Sequence, residues 1–150
     1  MPSRITNDQS FRDAINQLKP DQQRELAGRF VASVAHLSSD PRIARAINAT
    51  SDSSLSAQET EEVYKAVKAF ATQTYTACGQ DADWGAQAEH FVAAAAAAAL
   101  SLEDDQQAKS AWKTAMQARM AKNCEMILKD EGGLANEAEN QYKLTEALLT

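Results

Sequence analysis

The stretch WGAQAEHFVAAAAAAAL, residues 84–100, decides the fold. Seven consecutive alanines, Ala93–Ala99, follow an apolar face made of Trp84, Ala88, Phe91, Val92 and Ala95. Alanine is the strongest helix former, so the run is expected to be helical. Small side chains on several sides let neighbouring backbones approach closely. The stretch is therefore expected near the centre of a helical bundle. Asp83 stands before it as an N-cap, with Gln87 at the third helical position to complete the cap.

Composition agrees with this reading. Thirty of the 150 residues are alanine, while Val, Ile, Leu and Phe together number 25. Strands favour β-branched and aromatic residues, and this chain has few, which argues against an all-β fold. The fold class is all-α: one compact domain, residues 1–150, of six to seven helices.

Punctuation places the other helices. Ser10 with Asp13 resembles a capping pair for a short helix ending at Leu18. Pro20 and Asp21 open a second, with the stripe Leu26, Phe30, Val31, Val34 and Leu37. Asp40–Pro41 starts a third, carrying Ile43 and Ile47. The loop Thr50–Ser54 follows, because short polar side chains there compete for backbone hydrogen bonds. Ser56 and Glu59 form a capping box for a long helix with Val63, Ala66, Val67, Phe70 and Thr74. Gly79 suits the left-handed position that closes it.

Ser101, with Asp104, caps a helix running to about Lys129. Trp112, Met116, Met120, Cys124 and Ile127 recur there at steps of four and three, so they are expected to form its inner face. Arg119 is expected at the edge of that stripe with its stem buried; if it lies inside, it needs a carboxylate or a bound anion. Gly132–Gly133 then breaks the chain before a terminal helix, residues 134–150, with Leu134, Ala138, Tyr142, Thr145 and Leu149 on one side. The glycine pair makes this helix a candidate mobile or swapped arm.

Charge narrows the function classes. The net charge is −6 and the pI about 4.9, so there is no overall basic footprint. Arg24, Arg29, Arg42 and Arg45 make the first third locally basic. They allow a weak nucleic-acid reading, but a solvated helix surface accounts for them. No apolar leader opens the chain, and the longest uncharged apolar run, Phe91–Leu100, is too short for a membrane span. A cytoplasmic protein with reduced Cys78 and Cys124 is expected.

Candidate chemistry concentrates around Cys78, Asp81, Asp83, Trp84 and His90. A Cys78–His90 nucleophile is disfavoured: the aspartates and the negative helix end both oppose a thiolate. Cys78, Asp81 and His90 lack a familiar zinc spacing, so no metal is expected. Position 87 is Gln and position 33 is Ser, which rules out the Glu-x-x-His pairs of a di-iron bundle. His36 reads as a helix-end cap and His90 as a buried polar anchor. There is no P-loop, GxGxxG or GxSxG, and no catalytic residue or cofactor is assigned. The expected function is protein–protein contact, as an adaptor, accessory or regulatory subunit, with another protein or with itself. The alternative is a small-molecule or prosthetic-group pocket near Cys78, Asp81, Trp84, His90 and Trp112.

Overall fold

A computed structural model of the chain describes residues 5–77, 83–101, 107–129 and 137–149. Among these, seven α-helices form a bundle without strands: α1 (Asp8–Gln17), α2 (Pro20–Val34), α3 (Pro41–Ala49), α4 (Ala57–Ala77), α5 (Trp84–Leu100), α6 (Gln107–Leu128) and α7 (Glu137–Leu149). A 3-10 turn, Ala35–Leu37, follows α2, so Leu37 lies beyond the α-helix proper.

Local chemistry sets most of the starts. Asp40 accepts the Arg42 N–H at 2.9 Å ahead of Pro41. Ser56 and Glu59 exchange two bonds of 3.1 Å, a complete capping box. Gln22 reaches back to the Lys19 N–H at 3.0 Å beside Pro20. One expected cap is corrected and another is borne out in part. The first helix begins earlier, because Asn7 accepts the Ser10 N–H at 2.8 Å and Ser10 accepts the Asn7 N–H at 3.2 Å. At α5 Asp83 is the N-cap, as expected, but the third helical position, whose N–H it accepts at 3.1 Å, is Ala86 and not Gln87. The caps proposed at Gly79 and Asp104 and the Gly132–Gly133 break lie outside the described residues, as does Leu134.

The alanine-rich α5 is the central helix, in contact with α2, α3, α4 and α6. Ala93, Ala95 and Ala96 are fully buried, with Val92 and Leu100. Its most extensive neighbour is α6. There the expected inner stripe is corrected in part: Cys124 is buried as expected, but Met120 and Ile127 are exposed, and Ala111, Ala115, Ala118 and Ala121 make up the rest of the buried apolar face. Small residues on both helices let their axes approach closely, so dispersion contacts between backbones replace interlocking large side chains.

Bulk comes from a different place. Phe11 sits at an aromatic junction with Phe30 at 5.9 Å, Trp112 at 5.7 Å and Tyr142 at 5.2 Å between ring centroids. These rings tie α1, α2, α6 and α7 together. Trp84, on the apolar face expected for this helix, is only half-buried at the first position of α5.

Gly28 marks the closest approach of α2 to the end of α3. A Cβ there would stand 2.0 Å from Thr50 Oγ1 and 2.9 Å from Thr50 Cβ. Thr50 is itself fixed, because its hydroxyl donates to the Ile47 carbonyl at 2.6 Å. Gly28→Ala is therefore expected to cost about 1–3 kcal/mol even though alanine favours a helix by about 1 kcal/mol. Urea denaturation checks it. Adding Thr50→Gly, which removes both obstructing atoms, restores most of the loss; an unchanged loss would place the strain elsewhere.

Candidate functional site

The residues singled out by sequence do not share one neighbourhood. Cys78 and Asp81 lie outside the described residues. His90 turns toward α4, with Nδ1 3.0 Å from Thr74 Oγ1 and 3.2 Å from the Ala71 carbonyl. Its ring lies against Tyr75 and Phe91, at 5.6 Å and 5.5 Å. These contacts make it a packed polar anchor between α4 and α5. Trp112 lies on α6 against Phe11, with the Arg12 guanidinium 4.6 Å from its ring centroid. It lines an open cleft of about 350 Å³ with Arg12, Ile15, Asn16, Ala108 and Lys109. His90 and Trp112 have no neighbour in common among these contacts, so they lend no support to a shared pocket.

Two charged junctions were not legible as such. Glu125, on α6, is 1% exposed. Lys122 approaches it at 2.7 Å, His36 Nε2 at 2.5 Å and Lys129 at 3.3 Å. Burial pushes its carboxyl upward, but the hydrogen bonds from Lys122, His36 and Lys129 outweigh that and hold it at about 2. His36 therefore does more than cap a helix end: it ties the end of α2 to α6. Nearby Glu137 goes the other way, raised by burial against the pull of its Asn140 hydrogen bond and of Lys122 and Arg119.

The second junction corrects the reading of Arg119. Its guanidinium grips Asp8 with two bonds, 3.0 and 2.8 Å, and its Nε donates to Gln141 Oε1 at 2.8 Å. Gln141, fully buried, donates in turn to the Ala115 carbonyl at 2.9 Å, and Tyr142 donates to Asp8 at 2.8 Å. The Arg119 hydrogen bonds hold the Asp8 carboxyl below its usual range. Arg119 thus joins α1, α6 and α7.

The N-terminal arginines are interleaved with acids. Arg29 pairs with Glu25 at 3.2 Å, and Arg42 with Asp40 at 2.9 Å while lying over the Phe70 ring. Arg24 lines a cleft with Asp21, Glu25 and Asp52, and Arg45 one with Glu59 and Glu62. That arrangement does not build a continuous cationic track for a phosphate backbone.

What remains is the outward side of α6. Met120 is 45% exposed, Ile127 51% and Leu128 58%. At 100° per residue, Lys109, Lys113, Met116, Met120, Asn123 and Ile127 all fall within about 40° of the direction opposite Ala118. Of the apolar stripe seen in the sequence, Met120 and Ile127 face away from the core, while Cys124 is buried and Trp112 and Met116 pack partly buried against it. Arg12 and Phe11 of α1 cover its Trp112 end, while Met120 and Ile127 stay open. The signal for the true inner face was present as Ala111, Ala115 and Ala118, spaced four and three.

Among the described residues no group of three His, Cys, Asp or Glu side chains is placed to hold a metal ion, and no helix is long and apolar enough to cross a membrane. No family model, curated protein or solved structure matches the chain.

Proposed function

We propose that the protein acts by protein–protein contact, as an adaptor, accessory or regulatory subunit, through the outer face of α6. The observation that carries this reading is the exposure of Met120 and Ile127, with Leu128 beside them in the last turn. Large apolar side chains grouped on one face mark contact sites more often than scattered ones do. This face also has a firm backing. Its opposite side is the alanine seam with α5, and Arg119 and Glu125 pin the same helix to α1, α7 and the end of α2. A contact face on a helix held this way loses little freedom when a partner binds.

A photo-crosslinking residue at position 120 or 127, in cells that make the protein naturally, tests the reading. A discrete adduct is expected at both positions and none at Glu61, which lies exposed on α4. Adducts equally frequent at all three sites, or absent from 120 and 127, would overturn it. Light scattering on the purified protein then shows whether the adduct is a second copy.

A further inference from the structure

We infer that α7 is a releasable strap: it opens from the bundle as one unit while α1–α6 stay folded, and its opening changes what α1 and α6 present.

The face by which α7 docks differs from that of every other helix among the described residues. Phe11 is fully buried on α1, Phe30 on α2, Ile43 on α3, Val67 on α4, Leu100 on α5, and the alanine row on α6. On α7 the buried side chains are Gln141 and Thr145, both polar. Its apolar residues, Tyr142, Leu144, Leu148 and Leu149, pack against the core with part of each still in water. Complete burial of a large apolar side chain is the strongest single hold on a helix, and α7 has none.

Hydrogen bonds supply the specific links instead. Gln141 accepts from Arg119 Nε at 2.8 Å and donates to the Ala115 carbonyl at 2.9 Å. Tyr142 donates to Asp8 at 2.8 Å, and Asn140 to Ser33 Oγ at 3.1 Å. Glu146 accepts the Ile5 N–H at 3.3 Å. When the helix leaves, both ends of each bond return to water, so each contributes little on balance.

The rest of the bundle does not depend on these links. The Arg119–Asp8 ion pair joins α1 to α6 directly, and the Glu125–His36 pair joins α6 to the end of α2. Both survive the departure of α7. A free helix of 13 residues is marginal in water, so α7 loses its own backbone bonds once released. Segments with little buried apolar surface open at a lower free energy than the whole fold. In the docked form Tyr142 lies 5.2 Å from the Phe11 ring and Gln141 occupies Arg119 Nε. Release uncovers that side of Phe11 and frees Arg119 Nε, a surface that the closed form does not offer.

Native-state hydrogen exchange on the full chain, followed by NMR in low urea, tests this. The amides of α7 are expected to share one opening rate, about a hundredfold or more above that of Ala95 and Ala96 on α5. Their urea dependence is weaker, because less surface is exposed. Val67→Ala, in the body on α4, speeds exchange on α5 by about tenfold or more and leaves α7 unchanged, since α4 is the same in the closed and open forms. Gln141→Ala removes two links and speeds every α7 amide by about tenfold. Exchange of α7 at the α5 rate, or sped equally by Val67→Ala, would overturn the inference, because α7 would then open only with the whole fold. A rate that climbs smoothly toward Leu149, with Gln141→Ala acting only near position 141, would overturn it in favour of a fraying end.

Discussion

Leucine in place of Ala96 lowers the stability of the fold by about 3 kcal/mol or more, and leucine in place of Ala118 does the same. Both positions are fully buried, Ala96 on α5 and Ala118 on α6. Neither helix can move aside freely. α5 is enclosed by four others, and α6 is held by the Arg119–Asp8 and Glu125–His36 links. Three extra carbons then force the seam open or drive side chains off their rotamers. Against a usual total of about 5–15 kcal/mol, one such change removes a large fraction of stability. Ala94, only partly buried on the same helix, is the control, and leucine there is expected to cost less than 1 kcal/mol. Urea denaturation followed by circular dichroism measures all three. Similar small losses at all three positions would mean that the seam is not close-packed.

The seam also shows how far the sequence could be read. The alanine run, Pro20, Asp40–Pro41 and Ser56–Glu59 were legible because helix propensity and capping act over three or four residues. The inner face of α6 was not. That helix is apolar on both sides, and ranking by size favours Trp112, Met116, Met120 and Ile127 over alanine. The choice depends on what the neighbour offers, and a neighbour made of alanine leaves room only for alanine. The charged junctions were hidden for another reason. His36 and Glu125 are 89 residues apart, and Asp8 and Arg119 are 111 apart, so no local spacing announces either pair. At the candidate site the sequence found the stripe, placed Cys124 correctly and gave Met120 and Ile127 the wrong direction. Trp112 was singled out as a ligand contact and packs against Phe11 and Arg12 of α1; His90 was singled out too, and its bonds to α4 account for it.

Glu125→Gln is the second large effect, with an expected loss of about 2–3 kcal/mol near neutral pH. The wild-type carboxylate is buried, and its solvent is replaced by Lys122, His36 and Lys129. Removing its charge leaves the Lys122 and Lys129 ammonium groups and the His36 ring facing a neutral amide. His36 and Lys129 are half exposed and can turn to water, while Lys122, at 22% exposure, has less freedom. That keeps the loss below the upper end for a broken buried pair. Acid should reproduce part of the same loss in the wild type. The Glu125 carboxyl is held at about 2, below an ordinary value of 4.5. A carboxyl lowered on folding contributes stability that is complete above the unfolded value and disappears as pH falls from about 4.5 toward about 2. The difference corresponds to roughly 3 kcal/mol, trimmed to about 2 because two of the three partners are exposed to solvent. Glu137 acts in the opposite sense: burial raises its carboxyl, so protonation favours the folded state and offsets part of the acid loss. Comparing the variant with the wild type removes most of that background, because Glu137 is present in both and the Glu125 charge is the smallest of the causes that shift it. Between about pH 5 and pH 2, the wild type should lose about 2 kcal/mol more than Glu125→Gln does. Parallel curves would show that the carboxylate junction is not coupled to folding, and the tie between the end of α2 and α6 would then have to rest on apolar packing alone.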